Sequence, residues 1–283
     1  MSASNGPSSQ TPELRDLSGS LVLVGAGEMG SALLEGWLRF GLDPKKLAVI
    51  EPAPSQQVSA LVERGLRLNP ERGALTGAAA IVIAVKPQVA PEIVPGLAPM
   101  LMARTMVVSI MAGRTLKFLA TSLSRPCALA RAMPNLPASI GRGITVAIRH
   151  NADNAQRDLA SRLLSATGVV EWVEDESLLD AVTALSGSGP AYVFLLAEAM
   201  AEAGVAAGLP APLAERLADE TVAGAGALLH GSPLTAAELL EKVTSPGGTT
   251  AAALAVLKGK NAFASLMKDA IEAATRRSRE LAG

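Results

Sequence analysis

The sequence predicts two domains of different class. An α/β domain with a mostly parallel sheet covers residues 20–175, and an all-α domain covers 176–283. Three observations carry this reading. Short apolar runs alternate with helix-like stretches as far as about residue 175, the pattern of strands covered on both faces. Beyond that point strand signals stop and Ala- and Leu-rich stretches follow, punctuated by "GSGP", "GLP", "HGSP", "SPGG" and "KGKN". The chain is also 49% hydrophobic but only 2% aromatic. Its cores must therefore be built from Ala, Leu, Val and Ile, which suits buried parallel strands and closely packed helices. At 283 residues it is long enough for two such cores.

The elements follow in order. The first 19 residues are polar and rich in Ser, Pro and Gly, and lack the basic and apolar regions of a secretory signal; they read as a disordered tail. "SLVLV" at 20–24 is a strand, and Leu33, Leu34, Trp37 and Leu38 then fall on one helix face. "LAVIE" at 47–51, "AAAIVIAVKP" at 78–87, "MVVSIMAG" at 106–113, "CALARAMP" at 127–134, "ITVAIRH" at 144–150 and "VVEWV" at 169–173 read as further strands. In the second domain, Pro210 and Pro233 mark helix starts, where a missing N–H is tolerated. The apolar stretch 191–207 carries Glu198 and Glu202, so it reads as a buried helix rather than a membrane span.

Bulk numbers narrow the function. The formal net charge is −1 and no basic stripe with interleaved aromatics appears, so nucleic acid is not an expected partner. One cysteine, Cys127, cannot form an internal disulfide, which fits a reducing, cytoplasmic setting; it reads as a small buried hydrophobe. With His150 and His230 the only histidines, no metal site is expected.

"VLVGAGEMGSAL" at 22–33 holds G-x-G-x-x-G as Gly25, Gly27 and Gly30. It follows a strand and opens a helix, which is the context that gives the motif meaning. Gly25 permits the tight turn, Gly27 lets the backbone approach a pyrophosphate, and Gly30 lets the helix pack on the strand. The helix N-terminus then holds the anion. This identifies a Rossmann-type dinucleotide-binding domain. Glu51 ends the second strand, 21 residues past Gly30, where a carboxylate accepts hydrogen bonds from adenosine ribose hydroxyls and repels a 2′-phosphate. That favours NAD over NADP. "AVKPQ" and "SIMAG" lie at strand ends that line the same crevice. Lys86 is either a catalytic acid or base, or a lysine whose backbone touches cofactor while its ammonium reaches water. No pKa-lowering partner is visible in the sequence, which favours the second.

The stretches "GAGEMG", "AVKPQ", "RAMPNLPASIGRG", "DAVTALSGSGPAYVFLLAEAM", "AGLP" and "VTSPGGTTAAAL" together resemble the pyrroline-5-carboxylate reductase family over residues 20–283. The resemblance implies reduction of 1-pyrroline-5-carboxylate to L-proline, the last step of proline biosynthesis, with NADPH or NADH. It implies a homodimer through the helical domain, sometimes a decamer of five dimers, with active sites formed between subunits. Matched by position, Gly25, Ala26, Gly27, Glu28, Met29, Gly30, Ala84, Val85, Lys86, Pro87, Met111, Ala112 and Gly113 would contact the cofactor. Met133, Pro134 and Asn135 would lie near the nicotinamide, and Ser245, Gly247, Gly248, Thr249 and Thr250 would hold the substrate. If "GGTTAAALAVL" opens a helix, its first N–H groups form a carboxylate site, and Thr250 would act on the ring nitrogen as the catalytic residue. The family commonly carries Asn or Lys at Glu28, Thr at Leu136, and a neutral or basic residue at Glu51, so Glu51 sets the usual NADPH preference in question.

Two other readings compete. A β-hydroxyacid dehydrogenase shares a similar glycine motif but needs a general base, usually a helix lysine, and "GSGPAYVFLLAEAM" holds none. A non-catalytic dinucleotide sensor would leave "SPGGTT" without a small-molecule duty.

Overall fold

The computed structural model describes residues 13–282. The chain divides into two compact units. The first runs to Gly187 and takes back the chain from Arg277; the second is Ser188–Arg276.

The first unit is built on one eight-stranded sheet. Its strands are β1 (Leu21–Val24), β2 (Leu47–Ile50), β3 (Arg67–Leu68), β4 (Ala80–Ile83), β5 (Met106–Ser109), β6 (Ala128–Met133), β7 (Gly143–His150) and β8 (Gly168–Trp172). The spatial order is β3-β2-β1-β4-β5-β6-β7-β8. The first six strands are mutually parallel, whereas β7 pairs antiparallel with β6 and parallel with β8. The helices of this unit are α1 (Glu28–Arg39), α2 (Gln56–Ala60), α3 (Ala90–Ile93), α4 (Leu116–Leu123), α5 (Asn154–Leu164) and α6 (Leu178–Val182).

Strand alternation builds a core on each face of the sheet. Leu21, Leu23, Val49 and Val108 face α1 and α5 through Leu33, Trp37 and Leu163. Val22, Val24, Ile81 and Ile83 face Leu97, Met100, Leu116 and Leu119 on the other side. The central strands β1, β4 and β5 are fully buried, which is why they read as unbroken apolar runs. The Trp37 indole N–H donates to the Leu163 carbonyl at 2.8 Å, so the largest core side chain is also satisfied as a polar group.

Several expectations need correction here. β3 carries no apolar run and was not expected; it is an edge strand of two residues, too short to show a period. The strands of the central sheet also stop short of the runs that announced them, so Glu51 lies just past β2 and Ala84–Pro87 just past β4. Residues 13–19 were placed in a disordered tail, yet Leu14 and Leu17 are 0% and 4% exposed, and the Leu14 N–H bonds the Phe40 carbonyl. The rest of that tail, residues 1–12, lies outside the described residues. Cys127 is buried as expected, and burial pushes its thiol pKa up.

The second unit contains only helices among its described residues. These are α7 (Gly189–Ala206), α8 (Ala211–Gly231), α9 (Ala236–Lys242), α10 (Thr249–Leu257) and α11 (Phe263–Ala282), the last of which ends in the first unit. α8 starts just after Pro210, as expected. Pro233 does not start α9. That role falls to Thr235, whose side chain accepts from the Glu238 N–H while Glu238 reaches back to the Thr235 N–H, a capping box. α7 is not the buried helix that its composition suggested. None of its residues is buried, and Phe194 and Leu195 are 60% and 63% exposed. The run Leu178–Ala206 is long and apolar enough to cross a membrane by length and composition alone.

Candidate active site

The first unit places its expected cofactor residues on one edge of the sheet, at the C-terminal ends of the parallel strands. β1 and β4 are neighbours although β2 and β3 intervene in sequence, so the strand order reverses at β1. In such sheets ligands bind in the crevice at this switch point. The glycine loop fits a pyrophosphate on geometric grounds. Gly25 has φ +93°, and a Cβ there would lie 2.7 Å from the Ala84 carbonyl oxygen. A Cβ at Gly30 would lie 2.2 Å from the Gly25 oxygen, so this glycine sets how closely α1 packs on the loop. At Gly27 a Cβ would meet nothing within 4 Å. That position faces open space, and no side chain caps the α1 N-terminus there. The free N–H groups of the first turn are therefore available to an anion.

Glu51 sits beside this loop. Its Oε2 accepts from the Ala26 N–H at 2.7 Å and its Oε1 from the Ala53 N–H at 3.0 Å. The carboxylate is thus pinned to the edge of the glycine loop, with acceptor capacity left over. Lys86 is exposed. The Pro87 carbonyl accepts two bonds from Arg114, at 2.8 Å from Nε and 2.6 Å from Nη2. Arg114 also lies over the Phe118 ring at 4.8 Å. It therefore locks the loop after β4 to the loop after β5 that carries Met111, Ala112 and Gly113. A cavity of about 290 Å³ opens beside these loops, lined by Pro87, Ala112, Gly113, Arg114, Thr183 and Ser278. A larger cavity of about 680 Å³ is lined by Gly19, Gly77 and Arg104. These precede β1, β4 and β5, so it lies at the wrong end of the strands for a dinucleotide.

Met133 ends β6, and Pro134 and Asn135 follow. Both ends of the Asn135 amide are used. Its Oδ1 accepts from the Ile144 N–H at 3.0 Å and its Nδ2 donates to the Ser186 hydroxyl at 3.2 Å. Ser186 lies in a π-helical turn, Thr183–Gly187, a rare geometry that often marks functional sites. A Cβ at Gly187 would lie 2.6 Å from the Met133 Cε, so a side chain there would push the end of Met133 aside. Asn135 thus ties its loop to β7 through Ile144 and to the π-helical turn through Ser186.

One ion pair of this region was not anticipated. Arg131 on β6 is 5% exposed and its Nη1 bonds the Glu176 Oε1 at 2.8 Å. The same oxygen accepts from the Leu116 N–H at 2.8 Å. Glu176 thereby ties β6 to the start of α4, next to the Met111–Gly113 loop. No local signal pointed to it, because its partners are 45 and 60 residues away.

In the second unit, the expected substrate residues gather at one helix start. Gly248 is the N-cap of α10, with no side-chain cap, and Thr249 and Thr250 open the helix. Gly247, at φ +71°, turns the chain into it. The Thr244 hydroxyl donates to the Leu240 carbonyl at 2.6 Å, so it belongs to the end of α9. That separates Thr244 from the Ser245, Thr249 and Thr250 hydroxyls nearby in sequence.

The first unit is, on this geometry, a dinucleotide-binding domain of an oxidoreductase. The comparisons carry the identification further. Residues 176–281 match the family described as pyrroline-5-carboxylate reductase dimerisation. Residues 20–113 match the family described as NADP oxidoreductase, coenzyme F420-dependent. A pyrroline-5-carboxylate reductase of Pseudomonas aeruginosa is 37% identical over 93% of this chain and 96% of the relative. One from Synechocystis is 39% identical over 92% and 97%. The solved structure of the Coxiella burnetii enzyme aligns with a TM-score of 0.87 at 32% identity, covering 94% of this chain and 99% of the other. The Plasmodium falciparum enzyme, solved with NADP bound, aligns at 0.80 and 27% identity, covering 95% and 100%. The chain belongs to the pyrroline-5-carboxylate reductase family.

Proposed function

We propose that this chain reduces 1-pyrroline-5-carboxylate to L-proline, the last step of proline biosynthesis, in the cytoplasm. The observation that carries the proposal is the family match across both units, 93% of the chain at 37% identity, together with a dinucleotide loop in which Gly25 and Gly30 leave no room for a Cβ and Gly27 faces open space. NADH or NADPH, when bound, supplies the hydride that adds to the imine carbon. The π electrons of the C=N bond pass to the nitrogen, which ends protonated.

The chain's own residues bind, orient and neutralise. Gly25–Gly30 hold the pyrophosphate, and Ala84–Pro87 and Met111–Gly113 wall the crevice beyond it. Met133, Pro134 and Asn135 flank the nicotinamide end, braced by Glu176 and by the Ser186 turn. The first-turn N–H groups of α10 take the substrate carboxylate, because they have no acceptor in their own helix. Ser245 adds a hydroxyl donor. Thr250 bonds the ring nitrogen and steers its proton. Holding the two reacting carbons at attack distance is the main work, and such positioning is worth up to about 7–11 kcal/mol. We read the exposed apolar surface of α7 as the subunit interface rather than a membrane face, and the working form as a homodimer or a decamer of five dimers. Glu51, facing the adenosine ribose, selects NADH over NADPH.

The test is a turnover assay: oxidation of NADH and NADPH with 1-pyrroline-5-carboxylate, against 3-hydroxyacids in the reverse direction. Turnover with the imine alone is expected; turnover with hydroxyacids alone would sink the proposal. Thr250→Ala should lower kcat/KM by about 10²-fold, the lower range for a lost proton-handling group, and leave cofactor Kd unchanged. Wild-type turnover in that variant would remove Thr250 from the chemistry.

A further inference from the structure

The carboxylate of Glu51 carries the cofactor choice, yet the sheet itself does not hold Glu51. The β1–β2 ladder ends at Val24–Ile50, and the β2–β3 ladder covers only Ala48–Arg67 and Val49–Leu68. Glu51 lies past both. The next residue, Pro52, has no N–H with which to anchor the turn.

Asn69 takes over where the ladder stops. Its own N–H donates to the Val49 carbonyl at 2.8 Å. Its side-chain Oδ1 accepts from the Glu51 N–H at 2.8 Å, and its Nδ2 donates to the Glu51 carbonyl at 2.9 Å. One side-chain amide thus pairs with both backbone groups of Glu51, as a strand neighbour would. Asn69 adopts φ +47°, a left-handed conformation that Asn tolerates better than most side chains and that lies immediately past β3. On its far side the Glu51 carboxylate is pinned to Ala26 and Ala53. The residue is therefore fixed at backbone and at head group.

We infer that Asn69 is a positioning residue for cofactor choice: it clamps the Glu51 backbone so that the carboxylate faces the adenosine ribose, accepting a 2′-hydroxyl and repelling a 2′-phosphate. The inference rests on the reading of Glu51 given under Proposed function. Asn69 itself touches neither substrate nor cofactor.

Asn69→Gly is the appropriate variant, because glycine adopts positive φ freely and only the amide is lost. The direct readout is calorimetric binding of ADP-ribose against 2′-phospho-ADP-ribose, with the NADH/NADPH ratio of kcat/KM beside it. The wild-type chain should favour ADP-ribose, and N69G should shrink that preference by about tenfold, the effect of one charged hydrogen bond. An unchanged preference, or equal weakening of both ligands, would overturn the inference, since a merely structural amide moves both alike. Glu51→Ser run in parallel separates the two claims. If E51S leaves the preference intact, the ribose reading of Glu51 fails, and the Asn69 inference falls with it. If E51S erases the preference and N69G does not, only the role of Asn69 is wrong.

Discussion

The two units spend their apolar residues in opposite ways. In the sheet unit, Leu21, Leu23, Trp37, Leu47 and Ile81 are all 0% exposed, and cores form on both faces of the sheet. In the helical unit, α7 and α10 contain no buried residue, and Phe194, Leu195, Leu217, Leu228 and Val256 are between 48% and 75% exposed. The difference teaches that apolar content alone does not tell a finished core from half of one. A sheet closed by its own helices completes its burial within the chain. Helices that are apolar all round complete theirs against something else, and the dimerisation family matched over residues 176–281 points to a second copy.

The largest test breaks the helical half. Phe194→Glu with Leu195→Glu places two charges in the surface proposed to be buried between copies. Loss of the dimer by sedimentation velocity is expected, and with it most imine turnover. A dimer of unchanged mass would overturn the assignment of α7 to the interface. The sheet unit offers an internal control, because both tryptophans of the chain, Trp37 and Trp172, lie in it. Tryptophan emission should unfold at a denaturant midpoint independent of protein concentration. Helix loss by far-UV circular dichroism should depend on concentration, as linked association requires. Coincident, concentration-independent transitions would contradict the division.

A smaller effect probes the sheet half. Leu23 on β1 is 0% exposed and lies one residue before the strand end that launches the glycine loop. Leu23→Ala should cost about 2–5 kcal/mol of stability, read as a shift in the tryptophan transition, with the dimer mass unchanged. A neutral result would mean that β1 is not the packed centre that its burial indicates.

The same contrast explains what the sequence made legible. Buried parallel strands announce themselves as apolar runs, so seven of the eight strands were readable. The eighth, Arg67–Leu68, holds a register through backbone pairing and leaves no pattern. The reversed direction of β7 was equally silent, because an apolar strand reads the same either way. α7 was misread because a helix apolar on every side fits both a monomer core and an interface. At the site, Gly25 and Gly30 were legible since each answers a local backbone demand, and Gly27 through its place in the motif. Asn69, Arg131 and Glu176 were not assigned roles, since their partners lie 18, 45 and 45 residues away in the chain. The residues that position a site are recruited by the fold, and spacing carries no trace of them.

The smallest expected effect concerns Cys127, the chain's one thiol. It is 8% exposed just before β6, and desolvation by burial raises its pKa. Burial disfavours the thiolate, so stability is fully present below the ordinary thiol pKa and declines as pH rises above it, the unfolded chain then losing its proton first. At neutral pH a native chain should alkylate slowly, and only by opening of the sheet unit. The charge pair in α7 should leave this alkylation rate unchanged even as it dissociates the dimer. Should the rate rise with dissociation, the sheet unit would depend on the dimer for its own integrity, and the contrast between a self-sufficient sheet and a partner-dependent helical unit would fail.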